Sequence, residues 1–284
     1  MDIRLKKSTV WYTAGFLLLL AIFTVSDLAI SKKLFDIKNP FGNMLAAFGE
    51  TPGFLVGIFS AAALLTTRNR AKGTVLNLVQ IIGFGLLLVG FSAVAGFKPL
   101  SDLRSWQQSA IPQTAGAVGL FYAVLALILA IHLRKHEKTA LRSAAAVGIL
   151  LLILTIILVN SIKIPWGRMR MRSMDDPDSQ FTRWFLPQGM GDSEEYKSFP
   201  SGHSSTAAVI IWITLIPTFV PRFRTKKANI LLHVIAYCWI VAVMLSRIIV
   251  GAHFASDTLV GAAITVCCFY ILKRAFHIRP AAYS

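Results

Sequence analysis

Long apolar runs broken by short polar segments divide the chain into eight blocks, at roughly 11–29, 52–67, 74–96, 115–133, 143–162, 204–220, 229–246 and 254–273. About 20 helical residues cross the hydrocarbon core of a bilayer, and a helix satisfies its backbone polar groups without water. The pattern therefore predicts an all-α integral membrane protein, a polytopic bundle of eight transmembrane helices. The second block is the weakest, with only 14 uncharged residues from Pro52 to Leu65. Its approach, Pro40 to Glu50, contains Phe41, Met44, Leu45 and Phe48 and has the character of a segment that lies along the interface first.

Charge supports the count independently. Of 284 residues, 55% are hydrophobic and 15% charged, too much apolar surface for a water-soluble domain of this size to hide. With the N-terminus inside and the spans alternating, the inner segments carry Arg4, Lys6 and Lys7; Arg68, Arg70 and Lys72; Arg134, Lys135, Lys138 and Arg142; Arg222, Arg224, Lys226 and Lys227; and Lys273, Arg274 and Arg279. Those 17 cations face two anions, Asp2 and Glu137, whereas the outer side holds 12 cations and 11 acidic residues. The positive-inside rule then places both termini in the cytoplasm. A pI near 10.2 would raise nucleic acid as a partner, but these cations sit in short turns beside membrane helices, where anionic inner-leaflet lipid explains them. The first block is long for a signal-peptide core and reads as an uncleaved anchor. Cys238, Cys267 and Cys268 fall inside predicted helices, implying neither a disulfide framework nor a Cys-rich metal site.

The chain divides into residues 1–142, four N-terminal transmembrane helices, and residues 143–284, a second membrane core of four spans that includes the outer loop 163–200. The loop is acidic and glycine-bearing in its middle. Its Phe181–Leu186 stretch has two readings: a short helix with Phe181, Trp184 and Phe185 on one face against the leaflet, or a packed turn over the bundle.

The polar residues at the outer ends of the spans offer chemistry. Ser201 is a credible N-cap for the sixth helix, with Gly202 and His203 in its first turn, where unpaired N–H groups and the helix dipole favour phosphate oxygens. His253 and Asp257 are four apart, the spacing of one helical face, so the carboxylate is expected to set the imidazole tautomer. His203 at the same membrane face has the chemistry to give a proton to a leaving oxygen and later take one from water. Lys163, Arg170 and Arg247 offer fixed positive charge to the oxygens of a phosphoryl group in flight. Taken singly, each is more ordinary: an interfacial histidine, a head-group anchor or a helix end.

Together these residues closely resemble the motifs of the PAP2 family, the type 2 phosphatidic acid phosphatases. Lys163-Ile164-Pro165-Trp166-Gly167-Arg168-Met169-Arg170 fits the first motif, with Met171 where the family has proline. Pro200-Ser201-Gly202-His203 matches the second in full, and Ser246-Arg247, His253 and Asp257 the third. The likeness covers approximately residues 143–274. It implies a phosphohistidine mechanism with no required metal or cofactor. In it His253 is nucleophile, Asp257 its partner and His203 acid/base, while Lys163, Arg170, Ser201, Gly202 and Arg247 hold phosphate. With proline absent, Arg168 or Arg172 is an alternative to Arg170, and Ser246 is a possible auxiliary. Familiar lipid phosphatases of the family often have six helices, so the extra pair belongs to the N-terminal half.

A site at the outer rim of a bundle takes a head group from the side while the tail stays in lipid. The expected substrate is a membrane lipid phosphate or pyrophosphate: undecaprenyl pyrophosphate by preference, or phosphatidylglycerol phosphate, phosphatidic acid or diacylglycerol pyrophosphate. Short loops and the charge bias fit a bacterial plasma membrane with the active site on the extracytoplasmic face. The alternatives are a lipid phosphotransferase using the same residues, and a non-catalytic lipid-phosphate transporter or binding protein. Asp27 and Gln80 are the polar residues to watch for a transport path, although interhelical hydrogen bonding explains each more simply. Ala61, Ala62 and Ala63 suit helix contacts within one chain or between two, which leaves oligomeric state open.

Overall fold

Every apolar block folds as helix in the computed structural model, which describes residues 7–68, 73–102 and 111–278. Arg4, Lys6, Arg70, Lys72 and Arg279 of the inner-face tally lie outside the described residues. The helices are α1 (Lys7–Leu34), α2 (Pro40–Phe48), α3 (Thr51–Thr67), α4 (Thr74–Asp102), α5 (Ile111–Leu133), α6 (Lys138–Trp166), α7 (Pro177–Gln180), α8 (Gly202–Ala208), α9 (Ile216–Phe219), α10 (Lys226–Ile249) and α11 (Ala255–Ala275). Eight spans among them are long and apolar enough to cross a membrane. The sixth is composite: a 3-10 stretch, Val209–Leu215, joins α8 to α9.

The weak second block divides in two. Asn39 Oδ1 accepts from Gly42 N at 3.0 Å and starts α2, which buries Leu45 and Ala47 and leaves Phe41, Met44 and Phe48 exposed. A corner at Gly49 and Glu50 leads into α3. α3 runs through the interior, packed against α4, α5, α6 and the α8 span. That position explains its small residues: without a hydrophobic drive between helices in lipid, association depends on close approach and interhelical hydrogen bonds. Ala61, Ala62 and Ala63 are buried inside this chain. Opposite them, Trp212 Nε1 donates to Ala144 O at 2.6 Å, and Thr155, Thr265 and the Ser205 carbonyl form a hydrogen-bonded line. One core cluster joins α3, α4, α5 and α6 to Val209, Ile211, Trp212, Phe219 and Phe269, so the apolar interior crosses the boundary at residue 142.

The two ends of the bundle differ chemically. At one, Arg134 and Arg142 donate to the Thr66 and Thr67 carbonyls at 3.1 and 3.0 Å, and Arg224 meets Glu137 at 2.9 Å. At the other lie the ends of α6 and α10, the starts of α8 and α11, and the 163–200 loop. Residues 181–186 are not helical. Trp184 Nε1 donates to Thr24 Oγ1 at 2.8 Å, Trp166 Nε1 donates to the Trp184 carbonyl at 2.7 Å, and both indoles lie against Phe199. The packed-turn reading of this stretch describes it.

Candidate active site

The turn between α10 and α11 places the first key side chain. The Arg247 carbonyl accepts from both Ala252 N and His253 N, at 3.0 and 3.2 Å, which folds the chain back over the end of α10. The turn requires φ +64° at Gly251, a left-handed conformation that glycine adopts without steric cost. His253 is thereby buried, near enough to Arg247 of its own motif to feel its charge.

Its tautomer follows from its partner. His253 Nδ1 lies 2.5 Å from the carbonyl oxygen of Ser198. A carbonyl only accepts, so Nδ1 carries the proton and Nε2 holds a free lone pair. Burial first, then Lys163, Arg170 and Arg247, push the imidazole well below its ordinary pKa. The ring is therefore neutral, the state a nitrogen nucleophile needs.

This corrects the expected His253–Asp257 pair. Helix α11 begins at Ala255, so His253 lies outside it and the four-residue spacing does not describe one helical face. Asp257 instead turns back to cap the helix, accepting from Phe254 N at 2.9 Å and from Ser198 Oγ at 2.6 Å. Its other oxygen is paired with Arg168. Ser198 is the link that sequence reasoning missed: its N–H donates to Arg168 O at 3.0 Å, its hydroxyl to Asp257, and its carbonyl holds His253. Asp257 thus connects to the ring through Ser198 and not directly.

Arg168 also has a different place from its expected auxiliary role. It is 0% exposed and pairs with both Asp257 and Asp27, the latter at 3.1 Å. Nε donates to Thr182 O at 3.0 Å, Nη1 to Ser256 Oγ at 3.0 Å, and the guanidinium rests 4.2 Å from the centre of the Phe254 ring. Asp27 completes the knot by accepting from Ser256 N at 2.9 Å, so its simpler interhelical role describes it. Every direction in which Arg168 could reach a ligand is already occupied by protein.

The other two arginines of the segment separate as sharply. Arg172 forks onto Glu195, with Nε–Oε2 at 2.9 Å and Nη2–Oε1 at 2.5 Å, and these bonds hold the Glu195 carboxyl at about 2. The Arg172 N–H donates to Gly251 O at 3.0 Å, tying the loop to the His253 turn. Arg170 touches Glu195 only at 3.6 Å, and its Nε is buried with no hydrogen-bond partner among the described residues. Met171, in the proline position, starts a 3-10 turn and packs with Met174 on Phe254.

Lys163 occupies the last turn of α6, buried, and an added Cβ on Gly202 would lie 3.3 Å from its Nζ. Arg247 is 4% exposed, with Nε and Nη1 buried and unpartnered among the described residues. His203 stands in the first turn of α8. Ser201 caps that helix, accepting from Ser204 N at 3.3 Å and from Ser204 Oγ at 3.0 Å; it is fully buried and enters the site as its scaffold. Ser246 is likewise buried, its hydroxyl donating to Val243 O at 2.7 Å within α10. Lys163, Arg170, Arg247 and His203 are all close enough to His253 to act on its charge, so residues from three separate motifs converge at one end of the bundle. Among the described residues, no group of three or more His, Cys, Asp or Glu side chains is placed to hold a metal ion.

Residues 144–280 match the model of the PAP2 superfamily. A domain of that superfamily over this segment, together with eight apolar spans, is consistent with a membrane-associated enzyme that handles lipid phosphates. No curated protein and no solved structure matches the chain.

Proposed function

We propose that the protein hydrolyses a membrane lipid phosphate or pyrophosphate through a phosphohistidine on His253. The observation that carries the reading is His253, its Nδ1 held by the Ser198 carbonyl so that the Nε2 lone pair is left for chemistry, at the same end as buried guanidinium donors of Arg170 and Arg247 that lack partners among the described residues. Unpaired buried donors of this kind are costly in protein, and phosphate oxygens are the acceptors that fit them.

The His253 Nε2 lone pair attacks the terminal phosphorus as its bond to the leaving oxygen breaks, the lipid oxygen of a monophosphate or the bridging oxygen of a pyrophosphate, and His203 gives that oxygen a proton. Water then attacks phosphorus, His203 takes its proton, and the P–N bond breaks to release inorganic phosphate and neutral His253. Lys163, Arg170 and Arg247 bind the equatorial oxygens, where charge accumulates in the transition state. Both positive-inside counting and the arginine-rich opposite end of the bundle support an extracytoplasmic site, with both termini cytoplasmic, in a bacterial plasma membrane. The lateral approach from the bilayer favours a lipid head group over a soluble phosphate, with undecaprenyl pyrophosphate the preferred member.

Purified protein in detergent is expected to release inorganic phosphate from defined lipid phosphates and pyrophosphates, with a chelator present. No release from any member of the panel would overturn the reading, and phosphate appearing on an added alcohol in place of water would make the protein a transferase. The two neighbouring arginines give a sharper comparison. Arg170→Ala should lower kcat/KM by about 10²–10³, the scale of a lost transition-state donor. Arg172→Ala should cost less, since that side chain binds Glu195 and acts through the loop. Equal losses in the two variants would contradict their assigned places.

A further inference from the structure

The segment that matches the PAP2 superfamily begins at residue 144, yet an acidic side chain from well before it faces the catalytic end. The corner between α2 and α3 is pinned from two sides. Trp239 Nε1 of α10 donates to Gly49 O at 3.0 Å. One turn into α3, Gly53 lies so near α8 that an added Cβ would be 2.2 Å from the Thr206 carbonyl oxygen. Only a residue without a side chain permits that approach.

Glu50, at this corner, is 5% exposed, and its Oε2 lies 3.6 Å from His203 Nε2. The same carboxylate forms an ion pair with Lys98 Nζ from α4. At 3.6 Å the contact with the ring is a charge pairing, beyond ordinary hydrogen-bond length. Among the described residues, the charged groups that act most on His203 are cationic: Arg247 of α10, Lys98 of α4, Lys163 of α6 and Arg170 just after it. His253 is also close enough to sense the ring. An imidazolium in that company needs an anion beside it, and Glu50 supplies one.

We infer that Glu50, held by Lys98, is a positioning residue that orients His203 and stabilises its protonated form for proton transfer to the leaving oxygen. The inference rests on the hydrolase reading above and gives the N-terminal half a part in the chemistry. The carboxylate takes no proton in the step; the proton moves between His203, the leaving oxygen and water.

Leaving-group dependence separates this role from a structural one. A lipid alkoxide needs a proton as it departs, whereas the nitrophenolate of p-nitrophenyl phosphate leaves without one. With the full chain in detergent, Glu50→Gln should lower kcat on a lipid phosphomonoester about 10²-fold, within the range of general acid catalysis. KM should move much less, p-nitrophenyl phosphate should lose far less activity than the lipid, and Glu50→Asp should recover part of the loss. Equal losses on both substrates would mean that Glu50 only wedges the corner, and would overturn the inference, as would an unchanged kcat. If Glu50→Gln does not purify as a monodisperse protein, Lys98→Gln, which releases the carboxylate from its anchor, is expected to show the same split between substrates and overturns the inference if it does not. Wild-type protein that releases phosphate from neither substrate would strike the hydrolase reading itself, before any variant is made.

Discussion

His253→Ala is expected to abolish turnover of lipid phosphates, with kcat falling by about 10⁴–10⁶, the scale on which covalent hydrolases lose rate when the nucleophile is removed. No phosphorylated protein should be trapped by quenching the variant during turnover, whereas wild type should yield an acid-labile, base-stable phosphoprotein. The substitution leaves the Asp257–Arg168 pair, the Ser198 hydroxyl bond and the α11 cap in place, so the loss reports chemistry and not unfolding. Only the Ser198 carbonyl loses a partner. Normal phosphate release by this variant in folded form would remove the central assignment.

Arg168→Ala is expected to have the largest effect on stability. It would leave two buried carboxylates, Asp27 and Asp257, facing one another without their shared cation. Removing one partner of a buried ion pair costs about 3–5 kcal/mol, much of it the penalty of stranding the charge that remains. Thermal unfolding in detergent, followed by tryptophan fluorescence, should shift accordingly, since Trp166 and Trp184 report on the loop that Arg168 holds through Thr182. Activity should fall as well, because Asp257 steadies Ser198 and Ser198 steadies His253. Arg168→Lys keeps the charge but lacks the planar fork and should fall between the two. An alanine variant as stable as wild type would mean that the knot contributes nothing.

The eight spans were legible because each apolar block nears membrane thickness and the loop charges check the count without using hydropathy. The anchors of the site were legible because His203, Arg247 and His253 sit in motifs of fixed spacing. What spacing does not encode is where a helix begins: one residue, Phe254, separates His253 from α11, and that gap redirects Asp257 from the ring to the helix cap. Ser198 left no signal, since it holds His253 through a backbone carbonyl that any residue possesses. Arg168, Arg170 and Arg172 alternate along one short stretch, and their separate fates depend on distant partners, Asp27 and Asp257 for the first and Glu195 for the last. Glu50 did leave a trace. An ionisable residue between apolar runs is itself a pointer to function, but it was absorbed into the outer charge tally.

The near-contact of Gly53 with the Thr206 carbonyl, and the core shared across residue 142, carry a lesson for engineering. Transplanting the motif-bearing portion alone would remove this buried helix from its seat and open Leu151, Leu152, Val209 and Trp212 to lipid. Grafts intended to exchange substrate preference between relatives therefore have to move the third helix with the sixth span, as one inheritable unit.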